Sequence, residues 1–390
     1  MWNGIKSIME INNKKRILIL NYEFPPLGGG ASPVSYEIAE RLSKTGDFDI
    51  DVVTMGYKDL PKYEEINSNF RIHRVKCLRS KKELCHPWEQ ATYLISAWFK
   101  CNKLIKKEKY DICHCHFIIP TGVLALKLKK KFNLDYVVTS HGSDVPGHNT
   151  DRFKFLHKFT GPILRKICKM AKSITVPSHF LKDLILKNID HNINKKIIVL
   201  PSGSKDFARN DIEKENIILS VGRMHEGKGF QYLIEAFKKI DSDDWKLYLV
   251  GNGPYKKILE KMAEGDENII FTGWIDNKGE KFIELINKAK VFSLLSAFES
   301  QGIVYLEAMS AGCSILASNI NACKETASDD IGYLVQRDNV NKVELKLRRL
   351  MDDKTKLDFF MNNSRKRYEE KYNWDKIIEE YKKIITDLSI

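Results

Sequence analysis

Residues 291–312 read Val-Phe-Ser-Leu-Leu-Ser-Ala-Phe-Glu-Ser-Gln-Gly-Ile-Val-Tyr-Leu-Glu-Ala-Met-Ser-Ala-Gly. The apolar run 291–295 has the length of a buried strand. A polar turn carrying Glu299 and Gly302 follows. Residues 303–309 are good helix formers, and Gly312 closes them. Strand, Gly turn and helix in that order suit a phosphate, because the first N–H groups of a helix lack intrahelical partners and point at the turn. Glu299 is expected in the turn and Glu307 early on the helix. The helix dipole alone also favours acids near a helix start, so these two carboxylates need support from elsewhere in the chain.

The stretches before it repeat this pattern. Residues 217–221 form an apolar strand that runs into Gly222-Arg223-Met-His-Glu-Gly227-Lys228-Gly229 and then a helix through Gln231 to Lys239. A strand that delivers Arg and Lys on a Gly loop before a helix offers a diphosphate two cations and backbone donors. It is not a P-loop, since the full G-x-x-x-x-G-K-S/T pattern is absent. Residues 245–250 lead into Gly251-Asn252-Gly253-Pro254, and 269–275 into a turn with Gly273 and Ile275. Residues 314–317 and 332–335 are further strands, and a charged helix runs from about Trp374 to the end.

The first half has the same alternation. Residues 16–21 form a strand, followed by Gly28-Gly29-Gly30 and a helix from about Pro33 to Leu42. The spacing is not the dinucleotide fingerprint, so no NAD is expected. Strands are predicted at 50–54, 71–75, 111–116, 136–140, 173–178 and 197–201. Asp49 and Asp51 are read as the solvated start of a strand. Residues 93–105 have helical periodicity with lysines between, which fits a surface helix packed on the sheet or a helix lying on a membrane. His141-Gly142-Ser143-Asp144 follows a strand, where α/β ligands bind. Residues 152–172 form a basic amphipathic segment that Gly161-Pro162 divides into two helical pieces.

The chain of 390 residues exceeds what one core holds, so two domains are expected. They are 1–200, joined by the C-terminal helix 374–390, and 217–373, with 201–216 as the linker. No window of 18 uninterrupted apolar residues suggests a transmembrane helix, and the first fifteen residues do not read as a signal peptide. The expected location is cytoplasmic, peripheral on the membrane face if the basic helices dock there. Eight scattered Cys suit reduced core thiols. Cys113-His114-Cys115-His116 falls in a strand, so its two Cys share one face and its two His the other, and no metal is expected there. Net charge is +13 and uneven. Residues 1–200 carry 34 Lys and Arg against 19 Asp and Glu, while 201–390 carry 30 against 32. An anionic partner is therefore expected for the first half. No helix-turn-helix, RNA-recognition or zinc pattern accompanies this charge, which excludes a nucleic acid as that partner.

Together these motifs resemble a retaining glycosyltransferase of family 4 with the GT-B fold. Its signature runs through Gly222-Arg223…Gly227-Lys228-Gly229, Gly251-Asn252-Gly253-Pro254 and Glu299-x7-Glu307 in the second half. In the first half it runs through Gly28–Gly30, His114-x-His116 and His141-Gly-x-Asp144. The resemblance implies an α/β architecture of two facing Rossmann-like domains with a cleft between them, and the C-terminal helix packing back on the first. It also implies a nucleotide-sugar donor, UDP-linked rather than GDP-linked on family frequency, and no cofactor or metal. Arg223, Lys228 and the backbone at Gly302, Ile303 and Val304 would hold the diphosphate, and Glu307 the ribose. Glu299 and His141 would face the donor sugar. Gly273 and Ile275 would line the base side, and Gly251 would also belong to the donor site. Gly29 and Gly30 would close over the diphosphate, and Gly28, His116 and Asp144 would lie on the side of a glycan or lipid-linked acceptor. Retention in this fold is described as same-face attack, with a donor phosphate oxygen taking the acceptor proton. The expected catalytic set is Glu299, His141, Arg223 and Lys228.

Two positions depart from the family pattern. Gln301 stands where a Phe is common, and the usual Pro-Asn-Gly-Val-Asp appears as Pro201-Ser202-Gly203-Ser204-Lys205. A GT-B-fold sugar-nucleotide epimerase and a silent sugar-nucleotide binder are the alternative readings.

Overall fold

Two sheets, the first mostly and the second wholly parallel, take up every apolar run that the sequence marks as a strand. The computed structural model describes residues 14–148, 154–240, 242 and 244–387, with backbone alone for 154–159. Contacts divide the chain into two units. One holds residues up to 140, 160–175 and those from 381 on, and the other holds 141–159 and 176–380.

The first sheet is built from β1 (Lys15–Leu20), β2 (Phe48–Met55), β3 (Tyr63–Asn67), β4 (Phe70–Val75), β5 (Ile112–His116), β6 (Tyr136–Thr139), β7 (Ile174–Val176) and β8 (Ile197–Val199), in the order β3-β4-β2-β1-β5-β6-β7-β8. Helices α1 (Ala31–Lys44), α2 (Pro87–Lys107), α3 (Thr121–Phe132), α4 (Lys154–Met170) and α5 (His179–Asn188) connect these strands. Strand β3 pairs antiparallel with β4 at the sheet edge. It was not foreseen, because Tyr-Glu-Glu-Ile-Asn is half-buried or exposed throughout and has no apolar face to read.

Two local expectations are corrected. Asp51 is not solvated. It is 3 % exposed and binds Arg71 (2.9 Å), His73 (2.8 Å) and Tyr110 (2.8 Å). These partners hold its carboxyl far below the usual range despite burial. Its neighbour Asp49 pairs with Arg16 and Arg71. Second, Gly161-Pro162 does not divide the segment after 152, since α4 is one helix with Pro162 inside it. A mid-helix proline costs a backbone hydrogen bond. Burial of Leu164, Ile167, Cys168 and Ala171 offsets that cost. Ile167 lies so close to Gly122 that a Cβ there would sit 2.8 Å from its side chain. Residues 152 and 153 lie outside the described residues, as do the first thirteen, which the signal-peptide expectation concerned.

The second sheet is entirely parallel. It comprises β9 (Glu215–Val221), β10 (Lys246–Val250), β11 (Ile269–Gly273), β12 (Ala289–Leu294), β13 (Ser314–Ser318) and β14 (Gly332–Val335), in the order β11-β10-β9-β12-β13-β14. Helices α6 (Phe230–Lys238), α7 (Lys256–Ala263), α8 (Glu280–Lys288), α9 (Ile303–Ser310), α10 (Cys323–Thr326), α11 (Val340–Asp352) and α12 (Lys354–Arg367) accompany it. Counted along this unit, the strand order is third, second, first, fourth, fifth, sixth. The direction of winding reverses between β9 and β12, and a crevice opens there at the carboxyl ends of the strands. In the first sheet the same reversal falls between β1 and β5.

The stretch 201–216 packs against the second unit. Phe207 belongs to that core, its N–H donates to Ser310 Oγ at 3.1 Å, and Ser204 bridges to Asn373. The last helix, α13 (Trp374–Asp387), ends on the first sheet's unit, as expected. Lys382 pairs with Asp47 at 2.5 Å, and Lys15 donates to the Thr386 carbonyl at 2.9 Å. All eight cysteines are free thiols, and only Cys77 is not fully buried. Among the described residues no helix is long and apolar enough to cross a membrane.

Candidate functional site

The loops that leave β9 and β12 flank the reversal point of the second sheet, and they hold the charged residues of the two motifs. Lys228 sits in a short turn after β9, and Glu299 sits in the loop between β12 and α9. Lys228 Nζ donates to Glu299 Oε1 at 2.6 Å, and Ser296 Oγ donates to the same oxygen at 2.8 Å. Glu299 Oε2 has no hydrogen-bond partner among the described residues. The two loops are also joined through the backbone, since the Ala297 N–H donates to the Gly227 carbonyl at 2.7 Å. Gly229 allows this approach. Its φ is +74°, and a Cβ there would lie 2.0 Å from the Leu295 carbonyl oxygen.

Arg223, on the β9 loop, is exposed and makes no ion pair or hydrogen bond with other described residues. Gly222, Gly251 and Gly273 lie at the carboxyl ends of the adjacent strands β9, β10 and β11. Gly222 N–H donates to Val250 and Gly251 N–H to Gly273. Gly251 has φ +137°, and a Cβ on it would strike the Gly222 carbonyl at 1.9 Å. Ile275 is half-buried just beyond Gly273, whose free side opens onto empty space.

Gly302 caps α9 in the left-handed region, and the N–H groups of Gly302, Ile303 and Val304 find no acceptor among the described residues. Glu307 lies one turn further along this helix. Among the described residues its carboxylate accepts one hydrogen bond, a long one from Asn277 Nδ2 at 3.4 Å. Burial pushes its carboxyl up to about 7. An open helix start, two cations and two carboxylates are thus gathered in one unit.

Three contacts that the sequence did not reveal pin the Glu299 loop. Ser178 Oγ donates to the Ser300 carbonyl at 2.7 Å, and Thr326 Oγ1 donates to the Gln301 carbonyl at 2.9 Å. The Gln301 side chain, 4 % exposed, takes the Ser202 N–H at 2.9 Å and returns a bond to the Ser202 carbonyl at 3.3 Å. The two departures from the family pattern are therefore partners of each other. Glu325 adds a further tie, accepting the His179 and Phe180 N–H groups at the start of α5.

His141 and Asp144 belong to the same unit. His141 is half-buried, and Asp144 accepts the Gly142 N–H at 3.1 Å. Gly142 has φ +104° and lies between His148 and Ser300, next to Glu299. A Cβ on it would sit 2.9 Å from each. His148 was missed in the sequence, where its one mark is its place seven residues after His141. Burial lowers its affinity for a proton, against the opposing pull of Glu299.

Gly28, Gly29 and Gly30 follow β1 and His116 ends β5, in the other unit, at the reversal point of the first sheet. Gly28 has φ +100° and abuts Glu23, while Gly29 and Gly30 have open space where a side chain would be. His116 is buried, its ring 4.5 Å from that of His114. His114 bonds Thr139 at 2.7 Å, and burial lowers its imidazole to about 4. A separate depression of about 830 Å³ is lined by Pro177, Val199, Gln301, Glu325 and Tyr372 among others. It touches none of Arg223, Lys228, Glu299 and Glu307, so it is not where their chemistry converges.

Residues 202–371 match the family Glycosyl transferases group 1, and residues 28–204 match Glycosyltransferase Family 4. The chain is 29 % identical over 396 residues to the uncharacterized glycosyltransferase MJ1607 of Methanocaldococcus jannaschii, covering 94 % of this chain and 96 % of that one. It is 24 % identical to the UDP-Gal:alpha-D-GlcNAc-diphosphoundecaprenol alpha-1,3-galactosyltransferase of Escherichia coli, covering 96 % and 98 %. The fold is shared with sucrose-phosphate synthase from Thermosynechococcus elongatus, at TM-score 0.81 and 19 % identity over 96 % of this chain and 99 % of that one.

Proposed function

This chain belongs to glycosyltransferase family 4 and has the GT-B fold, and from that premise we propose the reaction it carries out. It moves a hexose from a nucleoside diphosphate sugar to a glycan or lipid-linked acceptor, with retention and without a metal. Residues 217–373 bind the donor. Residues 1–200, with the C-terminal helix, bind the acceptor. The observation that carries this reading is the Lys228–Glu299 pair beside the open start of α9.

In this reading Arg223 and Lys228 neutralise the leaving diphosphate. An ammonium has three donors, so Lys228 keeps two for phosphate while it holds Glu299. The N–H groups of Gly302, Ile303 and Val304 meet the same phosphates. Glu307, ionised, accepts the ribose hydroxyls. The base lies along Gly251, Gly273 and Ile275. Glu299 Oε2 accepts hexose hydroxyls and stabilises positive charge at the anomeric carbon. His141 contacts the hexose. The bond from the anomeric carbon to the diphosphate breaks with its electron pair going to the phosphate oxygen. The acceptor hydroxyl oxygen bonds to that carbon from the same face and passes its proton to the departing phosphate. Gly29 and Gly30 cover the diphosphate, and Gly28, His116 and Asp144 contact the acceptor.

A UDP-linked donor and a lipid-diphosphate acceptor are favoured by the name of the Escherichia coli relative. The eight free thiols fit a reducing, cytoplasmic compartment. A thermal-shift series over UDP- and GDP-sugars tests the donor. A ligand at 100 times its dissociation constant adds about 2.7 kcal/mol of stability, and a series without any shift would overturn the reading. Product analysis with and without acceptor separates transfer from epimerisation, which needs no acceptor.

A further inference from the structure

Helix α2 buries Tyr93, Ala97 and Cys101 and turns Trp88, Ile95 and Phe99 outward. These three are 55 %, 63 % and 68 % exposed. Their spacing of seven and then four residues puts them on one stripe of the helix. Leu78, also exposed, is tied to this stripe because its N–H donates to Thr92 Oγ1 at 3.0 Å. Trp88 is stacked on His86, with the rings 6.0 Å apart and 6° from parallel. Four large apolar side chains gathered in this way mark a covered face.

The charge around the stripe says what covers it. Lys103, Lys106 and Lys107 are exposed and continue it at one end. At the other end Lys81 and Lys82 are exposed, on a loop held to the first turn of α2 by the Ser80 N–H bond to Glu89 at 2.7 Å. Between 78 and 107 the one exposed carboxylate is Glu83. A second copy of this chain fits poorly, because cations at both ends of the stripe would face cations in either orientation of two α2 helices. An anionic lipid surface takes both parts, with aromatic and aliphatic groups at the headgroup–acyl boundary and lysines on the phosphates.

We propose that the outer face of α2, with Leu78, docks this protein on an anionic lipid bilayer. The inference deepens the reading of a lipid-linked acceptor and rests on it. The side chains concerned are exposed and lie outside the donor site, so their replacement leaves the fold and nucleotide binding unchanged. The test is flotation of the full chain with vesicles of phosphatidylcholine alone or mixed with phosphatidylglycerol.

The wild type is expected to float with the anionic vesicles and to be released as salt rises. The variant Trp88→Ser/Ile95→Ser/Phe99→Ser should lose about tenfold or more of that binding. Lys103→Gln/Lys106→Gln/Lys107→Gln should lose the preference for anionic over neutral vesicles. Thermal unfolding and UDP binding verify that both variants are folded. If the wild type floats and the apolar variant floats equally, the α2 face is overturned while a lipid-linked acceptor survives. If the wild type binds no vesicle yet transfers sugar to a lipid-linked acceptor in detergent, docking is overturned and the reaction stands. A wild-type dimer that the apolar variant renders monomeric, without vesicle binding, would make the face a self-interface and overturn the proposal.

Discussion

The two sheets reverse direction at corresponding places, β1/β5 in the first and β9/β12 in the second, yet the loops there carry opposite chemistry. Beside β9 and β12 stand Arg223, Lys228, Glu299 and the open start of α9. Beside β1 and β5 stand three glycines, two buried imidazoles and the carboxylate of Glu23. One topology has thus been given a crevice built on a lysine–glutamate pair and a crevice lined by glycines. The excess of basic residues in the first half lies elsewhere, on helices such as α2 and α3. Fold therefore fixes where a ligand can sit, and side chains fix which ligand it is.

That contrast is broken most severely by removing the lysine of that pair. Lys228→Ala should lower kcat/KM with a nucleotide sugar by about 10²–10³-fold, the scale seen for lost electrostatic stabilisation of a transition state. An activity within threefold of wild type would dissolve the difference between the two crevices.

Glu307 offers a sharper probe through pH. Its folded value of about 7 lies above the ordinary 4.5. Between those values the folded chain holds a proton that the unfolded chain has lost, so stability without ligand falls as pH rises through that window. In the proposed role Glu307 accepts the ribose hydroxyls as a carboxylate, so UDP affinity should move the other way. It should weaken up to about tenfold per pH unit below 7 and level off above. Calorimetry should show this slope in the wild type and not in Glu307→Gln.

Gln301 ties the Glu299 loop to Ser202. Gln301→Ala removes two bonds to backbone, worth about 1 kcal/mol each. KM for the donor should rise about three- to tenfold while kcat changes less, and Gln301→Asn should not restore it, because the shorter amide cannot reach both backbone groups. An unchanged KM would show that the loop holds its place without this tie.

The smallest effects belong to the glycine-lined crevice and separate two adjacent glycines. Gly28→Ala should cost about 1–3 kcal/mol in thermal or denaturant unfolding, because φ is +100° and Glu23 occupies the space. Gly29→Ala should stay within about 0.5 kcal/mol, since its surroundings are open. Equal costs at the two positions would contradict the geometry.

The sequence by itself determined the alternation of strand and helix, because continuous apolar runs of strand length bounded by Gly turns admit few other readings. It also marked Lys228, Glu299 and Glu307, since short motifs keep their chemistry in a fixed local geometry. It could not reveal β3, which has no buried face, or the continuity of α4 through Pro162, which burial of one helix face secures. It misread Asp51, whose partners Arg71, His73 and Tyr110 come from other segments of the chain. Nor could it show that Gln301 and Ser202, 99 residues apart, are hydrogen-bonded. Local pattern sets which elements form. Only their packing brings distant residues within hydrogen-bonding range and draws a carboxylate such as Glu307 partly out of water, and that shifts its charge.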